Sequence, residues 1–315
     1  MEKVAIIGHG DRFDALAGLL AANGKTPVMW NHDGRARRHL PKNVELIELE
    51  ALREHHLIFL SLPINEMRKV SRQVGDHITG RHAIVHLARN LEHTSLKTVS
   101  ELLSEETPTR RTGFLTGPMR EEDISQGHAA SGVCATVFPE VHELVGEALV
   151  SSSFRMYRTH DIIGAELAAA YCRVIAMGCG VLSELGLGQS LQATLFSRGL
   201  AEMGRFVAHR GGKERTTFGL AGSGNLFIDI AAPGSDDFRI GAAAMRLNKF
   251  DRKSVIKEYG SRGADLLELI ESLAALRQNK RLALHLLETC HLMVSAEMGP
   301  AAAVQHLMSL PTLDD

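Results

Sequence analysis

The hexapeptide Gly8-His9-Gly10-Asp11-Arg12-Phe13 directly follows the apolar run Val4 to Ile7 and directly precedes a helical pattern. That placement allows one chemistry in particular, the seating of a phosphate. Gly8 permits a tight strand-to-helix turn, and Gly10 lets a pyrophosphate approach the backbone at a helix N-terminus. A glycine pair is weak evidence alone, but at the end of the first strand of an alternating α/β half it favours a dinucleotide loop over a plain turn. Phe13 departs from the pattern, because the third small residue of such a loop normally lets helix and strand pack closely. Its ring must either turn into the core or crowd the cofactor. After the second strand, Trp30-Asn31-His32 stand where an acidic side chain would grip the ribose of NAD, and Arg35, Arg37 and Arg38 follow. His32 and Arg35 at these places favour a 2′-phosphate, hence NADP over NAD. A solvated basic helix start is the other reading of the three arginines.

Other constellations carry less. His285, Glu288, Cys290 and His291 fall on one C-terminal helix but spread over more than one face, so an amphipathic helix is favoured over a metal site. His82 and His86 flank a strand and would stand about 13 Å apart, too far to share an ion. No metal is expected. Cys134, Cys172, Cys179 and Cys290 form no CxxC pair, and Cys172 and Cys179 lie two helical turns apart, about 10 Å. That usage points to a reducing compartment. Cys172 beside Arg173 could be a nucleophile, although a cysteine in an Ala-rich helix is more often an apolar filler.

The elements that must position these residues are of two kinds. In the first half, strands are predicted at Val4 to Ile7, Pro27 to Trp30, Leu57 to Leu62, Ala83 to Leu87 and Gly113 to Thr116, with helices between. Strand, helix, strand at this spacing implies parallel pairing and an α/β doubly wound sheet. Beyond Thr159 helices dominate, led by the nearly all-apolar stretch Ile162 to Leu182, in which only Glu166 and Arg173 are charged. A helix apolar all round is buried in a core, and two charges and several glycines argue against a membrane span. The expected domains are 1–158, which binds the dinucleotide, and 159–315, which is helical and carries substrate binding and dimerisation. A chain of 315 residues, 44% hydrophobic and 23% charged, suits two globular domains. A net charge of −2 offers no basic field for nucleic acid. Without a visible signal peptide, the expected location is cytoplasmic.

The segments VAIIGHG, WNHD, LTGPMREED, DIIGAELAAAYCRVIA, SRGLAEMGRF and FGLAGSGNLF occur in the order found in bacterial NAD(P)-dependent glycerol-3-phosphate dehydrogenases, and the chain resembles that family over essentially its whole length. The resemblance implies a Rossmann-like N-terminal domain, an all-helical C-terminal domain, an active site in the cleft between them, and a homodimer. It also implies a list of site positions, at which this chain carries other residues. Cys172 stands at the family's proton-transferring lysine and Arg173 at the asparagine beside it. Arg89 stands at a second lysine, and Asn225 at the aspartate of the GLAGLGDL motif. Asp236 and Asp237, after Ser235, replace an Arg-Asn pair that holds the substrate phosphate. Met119 replaces the serine of SGPS, while Gly117 survives.

Reduction of a ketone leaves negative charge on oxygen and calls for a proton donor. Arginine stays charged and only polarises. Arg173 is also turned about 100° from position 172. The expectation is therefore a divergent homologue that binds NADP or NAD in a weakened groove, or has lost it, and does not reduce dihydroxyacetone phosphate. Two alternatives stay open: a reductase of a non-phosphorylated carbonyl compound, and an active glycerol-3-phosphate dehydrogenase with displaced catalytic groups.

Overall fold

A computed structural model describes residues 4–32, 44–186, 188–231, 234–276 and 282–309. The chain divides into two compact units, 1–92 with 97–166, and 93–96 with 167–315. The division falls inside a helix.

The first unit alternates strand and helix: β1 (Val4–Gly8), α1 (Asp11–Ala22), β2 (Val28–Trp30), β3 (Glu45–Ile47), β4 (Leu57–Ser61), α2 (Ile64–Gly75), β5 (Ala83–His86), α3 (Val99–Glu106), β6 (Thr112–Thr116), α4 (Glu121–Ser125), β7 (Ala130–Ala135), α5 (Pro139–Leu149) and β8 (Phe154–Thr159). Its sheet runs β3-β2-β1-β4-β5-β6-β7-β8. Successive residues of β1 serve opposite faces. Val4 and Ile6 pack with Phe13, Leu16 and Leu20 of α1 and Val141 and Val145 of α5. Ala5 and Ile7 pack with Met67, Val70 and Val74 of α2 and Leu102 and Leu103 of α3. Both faces of the sheet are covered, which is why its strands read as continuous apolar runs.

Two features depart from the sequence reading. Strands β3, β7 and β8 join the five expected ones, and β7 pairs with β6 antiparallel. Each of the three lacks a long apolar run. Glu45–Ile47 is short and mostly exposed, Ala130–Ala135 opens with small residues, and Phe154–Thr159 places two arginines among its outward positions.

The second unit is helical: α6 (Ile162–Ser183), α7 (Gln189–His209), α8 (Asn225–Ile230), α9 (Asp236–Arg246), α10 (Arg252–Ala275), α11 (His285–Val294) and α12 (Pro300–Ser309). Helix α6 starts in the first unit, where the Asp161 carboxylate accepts the Gly164 N–H at 3.1 Å. By length and apolarity it could cross a membrane, but 89% of its most apolar stretch is buried within the fold. Small residues let α9 come close. A Cβ at Gly180 would lie 1.9 Å from the Phe238 carbonyl oxygen, and one at Gly241 would lie 2.0 Å from that of Met177. Either substitution forces the two backbones apart. Helix α10 is broken at Gly260, where φ is 58° and ψ is −135°.

Candidate functional site

The first unit assembles its candidate groove at the carboxyl ends of β2, β1 and β4, which are neighbours in that order. Gly8 is required by packing: at φ 138° its Cβ would stand 1.9 Å from the Ser61 carbonyl oxygen. That same oxygen accepts the His9 N–H at 3.1 Å. Gly10 caps α1 at φ 89° and has no atom within 4 Å of where its Cβ would be. Gly10 makes no side-chain cap to helix α1, and a helix N-terminus of this kind suits an anion. Asp11 and Asp14 in the first turn suit the helix dipole.

Phe13 turns inward, 1% exposed, and joins the core with Leu16 and Val4. Of the two courses open to the ring, packing takes the one that leaves the groove clear. Arg12 ties the loop to its surroundings. Its Nε lies 3.0 Å from Glu121 Oε1, and its Nη1 donates to the Leu87 carbonyl at 3.0 Å. His32 follows β2, and its Nε2 lies 2.8 Å from Glu66 Oε2 on α2. The His9 ring stacks on it at 6.1 Å between centroids. Arg35, Arg37 and Arg38 lie outside the described residues.

The other positions singled out in this unit border β5 and β6. Arg89 is half-buried after β5, and the Asn90 side chain accepts the Leu91 N–H at 2.8 Å. Gly117 adopts φ 119° after β6, with its would-be Cβ 3.2 Å from Gly132 Cα, and half-buried Met119 packs against the sheet core. Beside them lies a buried cluster absent from the sequence expectations. The Glu166 carboxylate accepts the Ser100 N–H at 2.8 Å and its hydroxyl at 2.5 Å. This places the charge at the N-terminal end of α3, where the helix dipole favours it. His86 Nε2 lies 3.0 Å from the same carboxylate, outside hydrogen-bond alignment.

In the second unit, Cys172 is fully buried and its thiol donates to the Gly222 carbonyl at 3.3 Å. Asn225 is also buried and donates through Nδ2 to the Ala221 carbonyl at 2.9 Å. Both residues therefore hold the π-helical turn Leu220–Gly224. Arg173 grips Asp237 with two bonds, Nε to Oδ2 at 2.9 Å and Nη2 to Oδ1 at 3.1 Å. Its Nη1 reaches Asp265 Oδ2 at 3.0 Å. Asp236 is paired with Arg239 and, at 2.8 Å, with Arg262. Partial burial works against its charge, but the two arginines outweigh that and hold its carboxyl below the ordinary range. Ser235 caps α9, accepting the Phe238 N–H at 3.3 Å.

Asp236 and Asp237, at the positions where the resemblance implies the phosphate's partners, are bound to arginines of this unit. Asp265 and Arg262 escaped notice because nothing local in the sequence ties them to Arg173. The remaining cysteines are buried, and burial pushes the Cys134 and Cys179 thiols up to about 12. They are inert at neutral pH.

Comparison with known proteins places this geometry. Residues 3–141 match the model of the NAD-dependent glycerol-3-phosphate dehydrogenase N-terminus, and 161–305 that of its C-terminus. A glycerol-3-phosphate dehydrogenase [NAD(P)+] of Sinorhizobium fredii is 32% identical over 330 aligned positions, covering 98% of this chain and 96% of the relative. The chain belongs to the NAD(P)-dependent glycerol-3-phosphate dehydrogenase family. A second relative of the same description, from Leuconostoc mesenteroides, is 32% identical and covers 76% of this chain and 79% of its own. The crystal structure of the Coxiella burnetii glycerol-3-phosphate dehydrogenase superposes with a TM-score of 0.89 at 25% identity, covering 98% of this chain and 99% of that one. Within the family fold, a Rossmann-type sheet followed by helices, Arg173 pairs with Asp237 and Asp265, and Asp236 with Arg262.

Proposed function

We propose that this protein is a dinucleotide-binding member of the glycerol-3-phosphate dehydrogenase family that does not reduce dihydroxyacetone phosphate. The groove residues fit the cofactor: the glycine loop at the N-terminal end of α1 and the open space beside Gly10 suit a pyrophosphate, and His32 follows β2, where the ribose of a dinucleotide would lie. Arg35, with Arg37 and Arg38, supports NADP over NAD. When bound, the nicotinamide supplies the hydride.

What this chain's residues must add is a proton for the developing alkoxide and a cation for the phosphate. The observation that carries the reading is the state of positions 172 and 173. The Cys172 thiol is fully buried on the Gly222 carbonyl, and the Arg173 guanidinium is held by Asp237 and Asp265. A thiol in such a place is a poor proton donor to a substrate, and a guanidinium gives up no proton at neutral pH. At 236 and 237, carboxylates stand where the resemblance implies the phosphate's partners. A homodimer, as the resemblance implies, belongs to the same proposal.

Calorimetry with NADPH and NADH, followed by NADPH oxidation with dihydroxyacetone phosphate, tests both halves. Binding with NADPH tighter than NADH and no oxidation is the expected result. Absence of binding discards the groove. Robust oxidation discards the inactive reading.

A further inference from the structure

We propose that His9, His32 and Glu66 form a binding site for one divalent transition-metal ion of the zinc class. One ligand atom from each of the three lies within 4.8 Å of the others, the one such group of histidine, cysteine and acidic side chains among the described residues. The donors come from well-anchored places. His9 sits between Gly8 and Gly10 at the end of β1, His32 just beyond β2, and Glu66 in the first turn of α2. His32 and Glu66 already converge, with Nε2 and Oε2 at 2.8 Å. Ligands of a tetrahedral zinc stand about 3.3 Å apart, so closing on the ion asks for shifts of about 1 Å. His9 has room for that movement, because it is exposed.

A second observation points to a ligand at His32. Its side chain is 3% exposed, and Nδ1 is buried without a hydrogen-bond partner. Buried polar atoms are nearly always paired, so the protein contacts of this ring do not account for its place. The donor set selects the ion. Two imidazoles and one carboxylate suit zinc, cobalt or nickel, whereas magnesium and calcium prefer oxygen alone. Three protein ligands leave a coordination position for water or a small oxyanion. The half-exposed Glu66 and exposed His9 leave an entry path.

The test uses untagged, chelator-treated full-length protein, titrated with Zn²⁺ by calorimetry and with Co²⁺ by visible absorption. These readouts follow the metal alone and are independent of dinucleotide binding. One equivalent of Zn²⁺ should bind, and Co²⁺ should show the intense bands of a four- or five-coordinate centre. His9→Gln and Glu66→Gln should each weaken both by at least ~10-fold, since even losing an outer-shell partner costs about 10- to 100-fold. His9→Gln changes an exposed side chain, so its metal-free thermal midpoint should match the wild type. No stoichiometric Zn²⁺ binding, or binding unaltered in a folded His9→Gln protein, overturns the site.

Discussion

At the scale of single residues, Phe13 and Glu202 show how motif positions serve the packing of the core. In the glycine loop a small third residue would let α1 settle on β1, and Phe13 keeps that close packing by turning its ring into the sheet core. Phe13→Ala should therefore destabilise the protein by about 3–5 kcal/mol through the cavity it leaves. NADPH affinity, read by calorimetry on the folded variant, should stay within error of wild type. A tighter Kd would mean that the ring does crowd the cofactor. Glu202, in the segment SRGLAEMGRF, is 4% exposed and accepts Tyr171 Oη–H at 2.6 Å and the N–H groups of Leu286 and Leu287 at 3.0 Å. It thus ties α7 and α6 to the start of α11. Burial raises its carboxyl above the ordinary 4.5 despite these three donors. A raised carboxyl favours the folded state when protonated, so its contribution is full below 4.5 and is lost as pH rises through the native value. Relative to Glu202→Gln, the wild-type melting temperature should fall between mildly acid and neutral pH. A constant gap between the two melting curves would sink this assignment.

At the scale of elements, the helical unit is held by two devices, backbone contact and a buried ion pair. Gly180 and Gly241 bring α6 and α9 together, and Arg173 then fastens α6 to Asp237 on α9 and Asp265 on α10. Removing one partner of a buried pair leaves an uncompensated charge, at about 3–5 kcal/mol. Arg173→Met strands two carboxylates, whereas Asp237→Leu leaves the arginine with Asp265. The first should cost more by denaturant unfolding, and the double variant should cost clearly less than the sum. Strict additivity would show that the pair is not coupled. The sequence revealed these elements unevenly. Strands β1, β4 and β5 and helix α6 were legible because burial on all sides writes long apolar runs. The glycine loop was legible because Gly8 and Gly10 answer to local geometry. The partners of Arg173 were not, since Asp265 lies 92 positions away and only folding selects it. Glu66 was hidden for the same reason, and strands β3, β7 and β8 because exposed or small residues dilute their pattern.

At the scale of the whole molecule, the proposed inactivity raises the question of whether one position or many would account for it. Phosphate binding, proton transfer and stabilisation of the alkoxide are different contributions to the barrier, each typically worth factors of hundreds or more. In the proposed reading they fall to positions 172, 173, 236 and 237, whose present contacts are interdependent. Cys172→Lys alone places an ammonium in a fully buried slot facing the Gly222 carbonyl, with Asp236 and Asp237 still bound to arginines. Overpacking costs about 1–3 kcal/mol and the buried charge adds to it. The single variant should be less stable than wild type and inactive on dihydroxyacetone phosphate. Combining Cys172→Lys, Arg173→Asn, Asn225→Asp, Asp236→Arg and Asp237→Asn replaces both members of the Arg173–Asp237 pair, so no buried carboxylate is stranded at 237 when Arg173 is removed, while Asp265 loses Arg173 and Arg262 loses Asp236. NADPH oxidation with dihydroxyacetone phosphate should then rise above the background of both wild type and the single variant. If Cys172→Lys alone restores turnover, the loss resides in one proton donor, and the paired arginines and aspartates are bystanders. If wild type already turns over, the present residues perform the reaction by another arrangement.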